Sequence, residues 1–433
     1  MLNPISLIFF IILCGLIGYS LIKSWLSSDK SAIWSPLTMI NITLIYYIIL
    51  PSLGDKWMYG AGYTNGQHLF YVAAVLFYLC VLLGFSIKQK ERFKKWNYYL
   101  SENNSLKIGL ILFIIALVCY VPFRGFRSTI WAEDAYRGST REGLISYFID
   151  LISLFCTSCG ILYMYYKAGR RTTFKARKSW AFYVVLYFTL VFFIVGGFRY
   201  RIVWLILSLG TIYHLFPRPR KINYLLMGIV AVVAFLGFAI MDTARTYGVG
   251  IDRDVATSMS LVEASEGAGE NVDVCCFSIA AIDCYNRTNE RCYFEPIVTA
   301  ILMPIPRAIF PSKPDGSYMR EVQMRTFGDA SGGAAFLCFA EAFISFGWFG
   351  IVIYGLFLGW LSKVFWDNYR RNHSSMGAIL LLGLYNGFCY DWVSRGYLGG
   401  NFNDFIYFVI LPFWIIALLR KTLPNIFNAI HRQ

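Results

Sequence analysis

Long apolar runs recur from one end of the chain to the other, with short polar or charged stretches between them. The hydrocarbon core of a bilayer is about 30 Å thick, and a helix of about 20 apolar residues crosses it. The pattern therefore predicts an all-α, polytopic integral membrane protein with about eleven transmembrane helices. The predicted spans are residues 4–26, 33–53, 66–87, 107–122, 144–167, 179–196, 201–216, 222–241, 333–362, 376–392 and 402–419.

The longest stretch between two apolar runs is residues 242–332. It predicts a large loop before the ninth span, in which the apolar segment from Glu295 to Phe310 is broken by prolines and predicts an interfacial or re-entrant helix. Because the ninth run is unusually long, we expect its start to be tilted or broken. The chain then divides into helices 1–8 (1–241), the large loop, and helices 9–11 with a tail (333–433).

Basic residues in the short loops orient these spans. Strict alternation brings five basic segments to one side, which the excess of Lys and Arg marks as cytoplasmic. These segments are Lys88–Lys95, Arg170–Lys178, Arg218–Lys221, Arg370–Arg371 and the tail from Arg420. The prediction is an N-terminus on the outer side of the membrane and a C-terminus on the cytoplasmic side.

Composition agrees with this class. Hydrophobic residues make up 57% of the 433 residues and charged residues 15%, which excludes both a soluble globular protein and a disordered chain. The net charge is +14, but the predicted cytoplasmic side holds 23 basic against 4 acidic residues, and the outer side 16 against 21. The basicity therefore belongs to the cytoplasmic face, and we expect no nucleic-acid partner.

The outer side carries 14 arginines and only 2 lysines. A guanidinium group binds phosphate or carboxylate through two parallel hydrogen bonds, which an ammonium group cannot form. This bias favours an anionic ligand at the outer face. Ion pairs with the acids of that side are the alternative.

Candidate site residues stand at the outer ends of spans and in the large loop. The predicted binding residues for a diphosphate or for acidic sugars are Arg199, Arg201, Arg245, Arg307, Lys313, Arg325 and Arg395. The predicted catalytic carboxylates are Glu341, Asp242 and Asp315. Glu341 is notable because an acid in an apolar segment is costly unless it is paired or functional.

Several of these motifs together resemble the bacterial O-antigen polymerase family, the Wzy-type polymerases of oligosaccharide repeat units. The motifs are Pro306-Arg307 followed by Lys313-Pro314, then Glu341 with Phe346-Gly347 and Gly350, then Arg395-Gly396, and the turn from Gly196 to Arg199. These motifs cover roughly residues 190–400. The number of predicted spans and the large outer loop before the ninth span extend the resemblance to the whole chain.

The resemblance implies a location in the bacterial inner membrane, so that the outer side and the N-terminus are periplasmic, and a reaction at the periplasmic face. Two undecaprenyl-diphosphate-linked glycans meet there, a hydroxyl of one attacks the anomeric carbon of the other, and undecaprenyl diphosphate leaves. Fixed arginines would stabilise the diphosphate, and a carboxylate would take the proton. We expect no metal or other cofactor. The implied partners are the lipid-linked glycans, membrane lipids, and a chain-length regulator and a flippase of the same pathway.

Three alternatives stay open. The related O-antigen ligases usually rely on a histidine in the large loop, and residues 242–332 contain none. A flippase of lipid-linked glycans would need charges at mid-membrane depth, whereas the charges here collect at the outer ends of the spans. An acyltransferase would need a catalytic histidine near an acid, and His68 alone falls on the outer side.

Reporter fusions test the predicted topology. Fusions after Lys95, Lys178 and Lys221 should report a cytoplasmic location, and fusions near Arg137 and Asp273 a periplasmic one, because positive loops are retained inside. A periplasmic signal at Lys178 would break the alternation on which the orientation depends.

Overall fold

The computed structural model describes residues 3–53, 66–90, 93–124, 129–131, 151, 153–172, 180–196, 199–246, 250–258, 270–305, 309–312, 317–328 and 335–423. The described helices are α1 (Pro4–Leu26), α2 (Pro36–Leu53), α3 (Gln67–Ser86), α4 (Lys94–Asn97), α5 (Ser105–Arg124), α6 (Ser153–Thr172), α7 (Trp180–Val195), α8 (Arg199–Leu215), α9 (Tyr224–Ala244), α10 (Arg253–Ser258), α11 (Glu270–Thr288), α12 (Glu295–Leu302), α13 (Ser317–Phe327), α14 (Cys338–Arg371), α15 (Met376–Ser394) and α16 (Leu398–Thr422).

The described part also contains minor elements, among them a 3-10 helix at Ala32–Trp34. α2 and α16 each contain a π-helical turn, at Ile45–Ile49 and Ile406–Ile410. The strands Arg245–Thr246 and Gly250–Ile251 pair antiparallel. The chain is thus predominantly helical in the described ranges, as the sequence predicts.

Five helices of the described part are long and apolar enough to cross a membrane: α1, α2, α3, α14 and α16. Three more apolar segments are shorter, Ser105–Val121, Trp180–Val195 and Leu225–Ala234. The chain is therefore a multi-pass helical membrane protein, whereas the number eleven and the sidedness of the large loop stay predictions. Residues 144–150, where the fifth span is predicted to begin, lie outside the described residues.

The chain forms two compact units. The first contains residues 1–91, 269–367 and 389–404, and the second contains residues 92–268, 368–388 and 405–433. The predicted large loop is therefore divided between the units, since its first part belongs to the second unit and its remainder to the first.

In the first unit, α3 and α14 pack with their backbones in close approach. A Cβ atom on Gly355 would lie 2.7 Å from Cys80 Cβ and 2.8 Å from the Phe77 carbonyl oxygen, and one on Gly359 would overlap the backbone of Val81. Gly84, on α3, lies equally close to the backbone of α14, because a Cβ there would overlap the carbonyl oxygen of Leu356. Gly355 and Gly359 form the Gly-x-x-x-Gly spacing that lets two membrane helices approach closely.

In the second unit, α6 packs against α5, α7 and α8. Ser158 Oγ of α6 donates to the carbonyl of Gly109 on α5 at 2.7 Å, where a Cβ would lie 2.8 Å from Leu162. The buried amides of Asn97 and Asn368 bond to each other in both directions, at 2.9 and 3.1 Å. Buried hydrogen bonds of polar side chains thus link separate segments of this unit.

α14 is broken near its start, as its length leads one to expect. Phe346 and Gly347 leave the helical conformation, and Gly347 has a φ of 62°, which glycine adopts without steric cost. The backbone N–H groups of Cys292 and Tyr293 donate to the carbonyls of Ile344 and Ser345 at 3.2 and 3.1 Å. The segment before α12 therefore satisfies carbonyl groups just before the break.

Substitution of the interface glycines should destabilise the first unit. Gly359→Ala is expected to cost about 1–3 kcal/mol, because the new methyl group overlaps backbone atoms that cannot move aside independently. Gly15→Ala is the matched control, since a Cβ there meets nothing within 4 Å and should be neutral or stabilising by up to about 1 kcal/mol. Unfolding in mixed detergent micelles measures both, and equal effects would contradict the assigned packing.

Candidate functional site

Glu341 lies in the first turn of α14 and is almost fully buried, with 4% of its surface exposed. Tyr318 Oη donates to Glu341 Oε1 at 2.5 Å, and the backbone N–H of Leu398 donates to Oε1 and Oε2, each at 3.0 Å. A buried carboxylate is tolerated only when such donors replace water. The predicted acid is therefore held by two other segments of the same unit.

Each donor is supplied by the start of a helix. Tyr318 is the second residue of α13, and Leu398 is the first residue of α16. The first N–H groups of a helix have no partner inside the helix, and the positive end of the helix dipole favours a negative charge there. Glu341 thus supplies an acceptor for an N–H group of α16 that has none inside its own helix.

Tyr318 is a site residue that the sequence did not suggest. It is 1% exposed, and burial together with the nearby charge of Glu341 raises the pKa of its hydroxyl far above the usual range. Its hydroxyl therefore keeps its proton and acts as a donor. It stands in a largely polar segment, in which it has no distinguishing neighbour or spacing.

Gly396 explains part of the predicted Arg395-Gly396 motif. Its N–H donates to the carbonyl of Phe336 at 2.6 Å. A Cβ at this position would lie 2.8 Å from the carbonyl oxygen of Leu337 and 3.1 Å from Glu341 Cβ. A glycine is required here so that the segment before α16 can reach the carboxylate.

An apolar cleft of about 510 Å³ adjoins Glu341 in the first unit. Its walls come from α12, α14 and the start of α16, and include Ile297, Ile301, Phe349 and Phe402 beside Glu341. Several wall residues are exposed, as Phe349 is at 68% and Ile301 at 62%. An open apolar cleft with one carboxylate at its edge suits a ligand that is part hydrocarbon and part polar.

The predicted binding arginines are divided between the units. Arg325, in α13, forms ion pairs with Glu290 and Glu321, which is the alternative foreseen for the outer arginines. Arg395 follows α15 in the first unit, and its carbonyl accepts a hydrogen bond from Asn401 Nδ2 at 2.6 Å.

Arg199 and Arg201 belong to the second unit, in the first turn of α8. Arg201 is buried, and its guanidinium lies 5.8 Å from the centroid of the Tyr200 ring. These two arginines are therefore in a different unit from Glu341.

The remaining predicted residues fall on parts that the structure does not describe. Arg307, Lys313 and Asp315 lie outside the described residues. The backbones of Asp242 and Arg245 are described at the end of α9 and in the first strand, but their side chains are not. Their roles stay predictions.

Comparison with known proteins identifies the family of the chain. A family model described as O-antigen polysaccharide polymerase Wzy matches residues 1–424. The chain belongs to this family, whose members are polymerases of the glycosyltransferase type, and the resemblance drawn from the motifs is confirmed. No curated protein and no solved structure matches the chain.

The hydrogen bond between Tyr318 and Glu341 can be tested by a double-mutant cycle. Tyr318→Phe should cost about 1.5–3 kcal/mol of unfolding free energy, because it removes a donor to a charged acceptor. In a Glu341→Gln background the acceptor is neutral, and the same change should cost about 0.5–1.5 kcal/mol.

The matched control is Tyr285→Phe, in the same unit. The Tyr285 side chain is buried, and among the described residues its hydroxyl has only the Cys292 sulfur as a partner, at 3.9 Å. Its removal should cost the same in both backgrounds. Equal losses for Tyr318→Phe with and without Glu341 would show that the two side chains are not coupled.

Proposed function

We propose that the chain polymerises undecaprenyl-diphosphate-linked oligosaccharide repeat units at the periplasmic face of the bacterial inner membrane. The observation that carries this proposal is the match of the O-antigen polymerase model to residues 1–424. Membership of the family supports the polymerisation of O-antigen repeat units in general. The undecaprenyl diphosphate carrier, the bacterial inner membrane and the periplasmic face are the more specific parts of the proposal.

The proposed reaction is a glycosyl transfer. The hydroxyl oxygen of one glycan forms a bond to the anomeric carbon of the other, and the bond from that carbon to the diphosphate oxygen breaks. Undecaprenyl diphosphate leaves with the electron pair, and the hydroxyl proton passes to a base. No nucleotide sugar is consumed, because the donor carries its own leaving group.

Glu341 is the best supported candidate for this base among the predicted carboxylates. Its Oε1 accepts bonds from Tyr318 and Leu398, while its Oε2 accepts one from Leu398 alone among the described donors. Oε2 therefore keeps a lone pair with which to take a proton. The apolar cleft beside it offers a place for the hydrocarbon of a lipid-linked substrate.

Deletion of the gene tests the function. Cells without the protein should carry single repeat units on the lipid acceptor and no long chains, as shown by the glycan ladder on a gel. Unchanged long chains would remove the polymerase assignment. Complete absence of glycan on the acceptor would favour a ligase, and lipid-linked units retained on the cytoplasmic face would favour a flippase.

Complementation with point variants tests the base. Glu341→Gln should fail to restore long chains, because loss of a general base lowers a rate by about 10²–10⁴-fold. Glu321→Gln is the control, since that carboxylate is 55% exposed and pairs with Arg325 in the same unit. Protein amounts are compared by blot, and normal chains from Glu341→Gln would show that another group takes the proton.

A further inference from the structure

Arg291 stands in the tight turn between α11 and α12, in the first unit. Asn289 and Tyr293, on either side of it, have φ values of 55° and 44°. The two residues after Arg291 pair with the carbonyls of Ile344 and Ser345, as described above. The backbone of Arg291 is thereby fixed beside the break in α14.

One nitrogen of the Arg291 guanidinium is already used. Nη1 donates to the carbonyl of Tyr285 at 2.6 Å and to that of Glu290 at 2.7 Å. The guanidinium carbon also lies 5.1 Å from the centroid of the Phe343 ring. These contacts fix the plane of the group, and all three are with neutral groups, so none of them compensates its charge.

The other edge of the guanidinium, Nε and Nη2, has no acceptor among the described residues. An arginine carries five N–H donors, of which Nη1 supplies two. No described carboxylate forms an ion pair with Arg291, and that of the adjacent Glu290 pairs with Arg325. The unused edge is the one that binds two oxygens of a phosphate side by side.

Gly347 borders this edge. Nε and Nη2 each lie 3.6 Å from the position that a Cβ of Gly347 would occupy. The missing side chain thus keeps space next to the two donors. The residues around Gly347 in sequence, Phe346, Phe349 and Gly350, line the apolar cleft.

We propose that Arg291 binds the diphosphate of the lipid-linked donor through Nε and Nη2, with the first part of the hydrocarbon chain in the apolar cleft. This assignment rests on the proposed function and names a residue for its leaving group. Arg291 is not among the arginines that the sequence patterns selected. The alternative role is a clamp that only stabilises the turn through Nη1.

Binding to the purified full-length protein in lipid nanodiscs tests the assignment. The probes are undecaprenyl diphosphate, uncharged undecaprenol and inorganic diphosphate, and native mass spectrometry or a fluorescence titration gives the affinities. Arg291→Lys keeps the charge but loses the two-pronged contact, so the affinity for undecaprenyl diphosphate should fall about 10- to 100-fold. The affinity for undecaprenol should not change.

Arg287→Lys is the matched control, because Arg287 is exposed in the same unit and forms an ion pair with Asp283 at 2.8 Å. It should bind all three probes as the unchanged protein does. An unaltered affinity of Arg291→Lys for undecaprenyl diphosphate would overturn the assignment. An equal loss for both lipids would also overturn it, in favour of the clamp.

The probes separate this inference from the proposed function. If the unchanged protein and Arg291→Lys both prefer undecaprenyl diphosphate over undecaprenol to the same extent, the role of Arg291 is refuted and the proposed function is not. If the unchanged protein shows no preference for undecaprenyl diphosphate, the proposed lipid-linked donor is refuted, and the role of Arg291 with it. Equal binding of inorganic diphosphate and the lipid diphosphate would exclude the cleft as the hydrocarbon site.

Discussion

A single buried carboxylate connects three segments of the first unit. Glu341 of α14 accepts one hydrogen bond from a hydroxyl of α13 and another from a backbone N–H of α16, and these donors offset the loss of hydration that burial imposes on a carboxylate. The cleft, the start of α16 and the position of Gly396 all depend on this arrangement. Glu341, the proposed base, therefore also stabilises the packing of these three segments.

This double role bears on how a loss of Glu341 should be interpreted. Removal of one member of a buried charged hydrogen-bond network leaves the other members without partners, and this costs stability as well as chemistry. Glutamine keeps the shape and an acceptor oxygen but cannot accept the proton at the same place. The amide substitution therefore separates the two roles better than truncation does.

The arginines of the first unit differ in what already surrounds them. Arg325 and Arg287 have carboxylate partners, so an anionic ligand would have to displace an existing ion pair. Arg291 is held by carbonyl oxygens and an aromatic ring, which direct the group without cancelling its charge. Such preorganisation is what makes a fixed cation effective toward charge that develops on a leaving group.

The sequence by itself determined the class of the protein, because span-length apolar runs have few other stable environments. It also identified Glu341, because an acid in an apolar segment is conspicuous, and it anticipated the broken start of α14. It did not identify Tyr318, Leu398 or Arg291, whose roles arise from contacts with residues far away in the chain. It also could not distinguish Arg325 from Arg291, since both are loop-region arginines until folding places carboxylates beside one and backbone carbonyls beside the other. The pattern of apolar and polar residues indicates whether a segment lies in lipid or in water. The partner of each polar group is determined only when separate helices pack together.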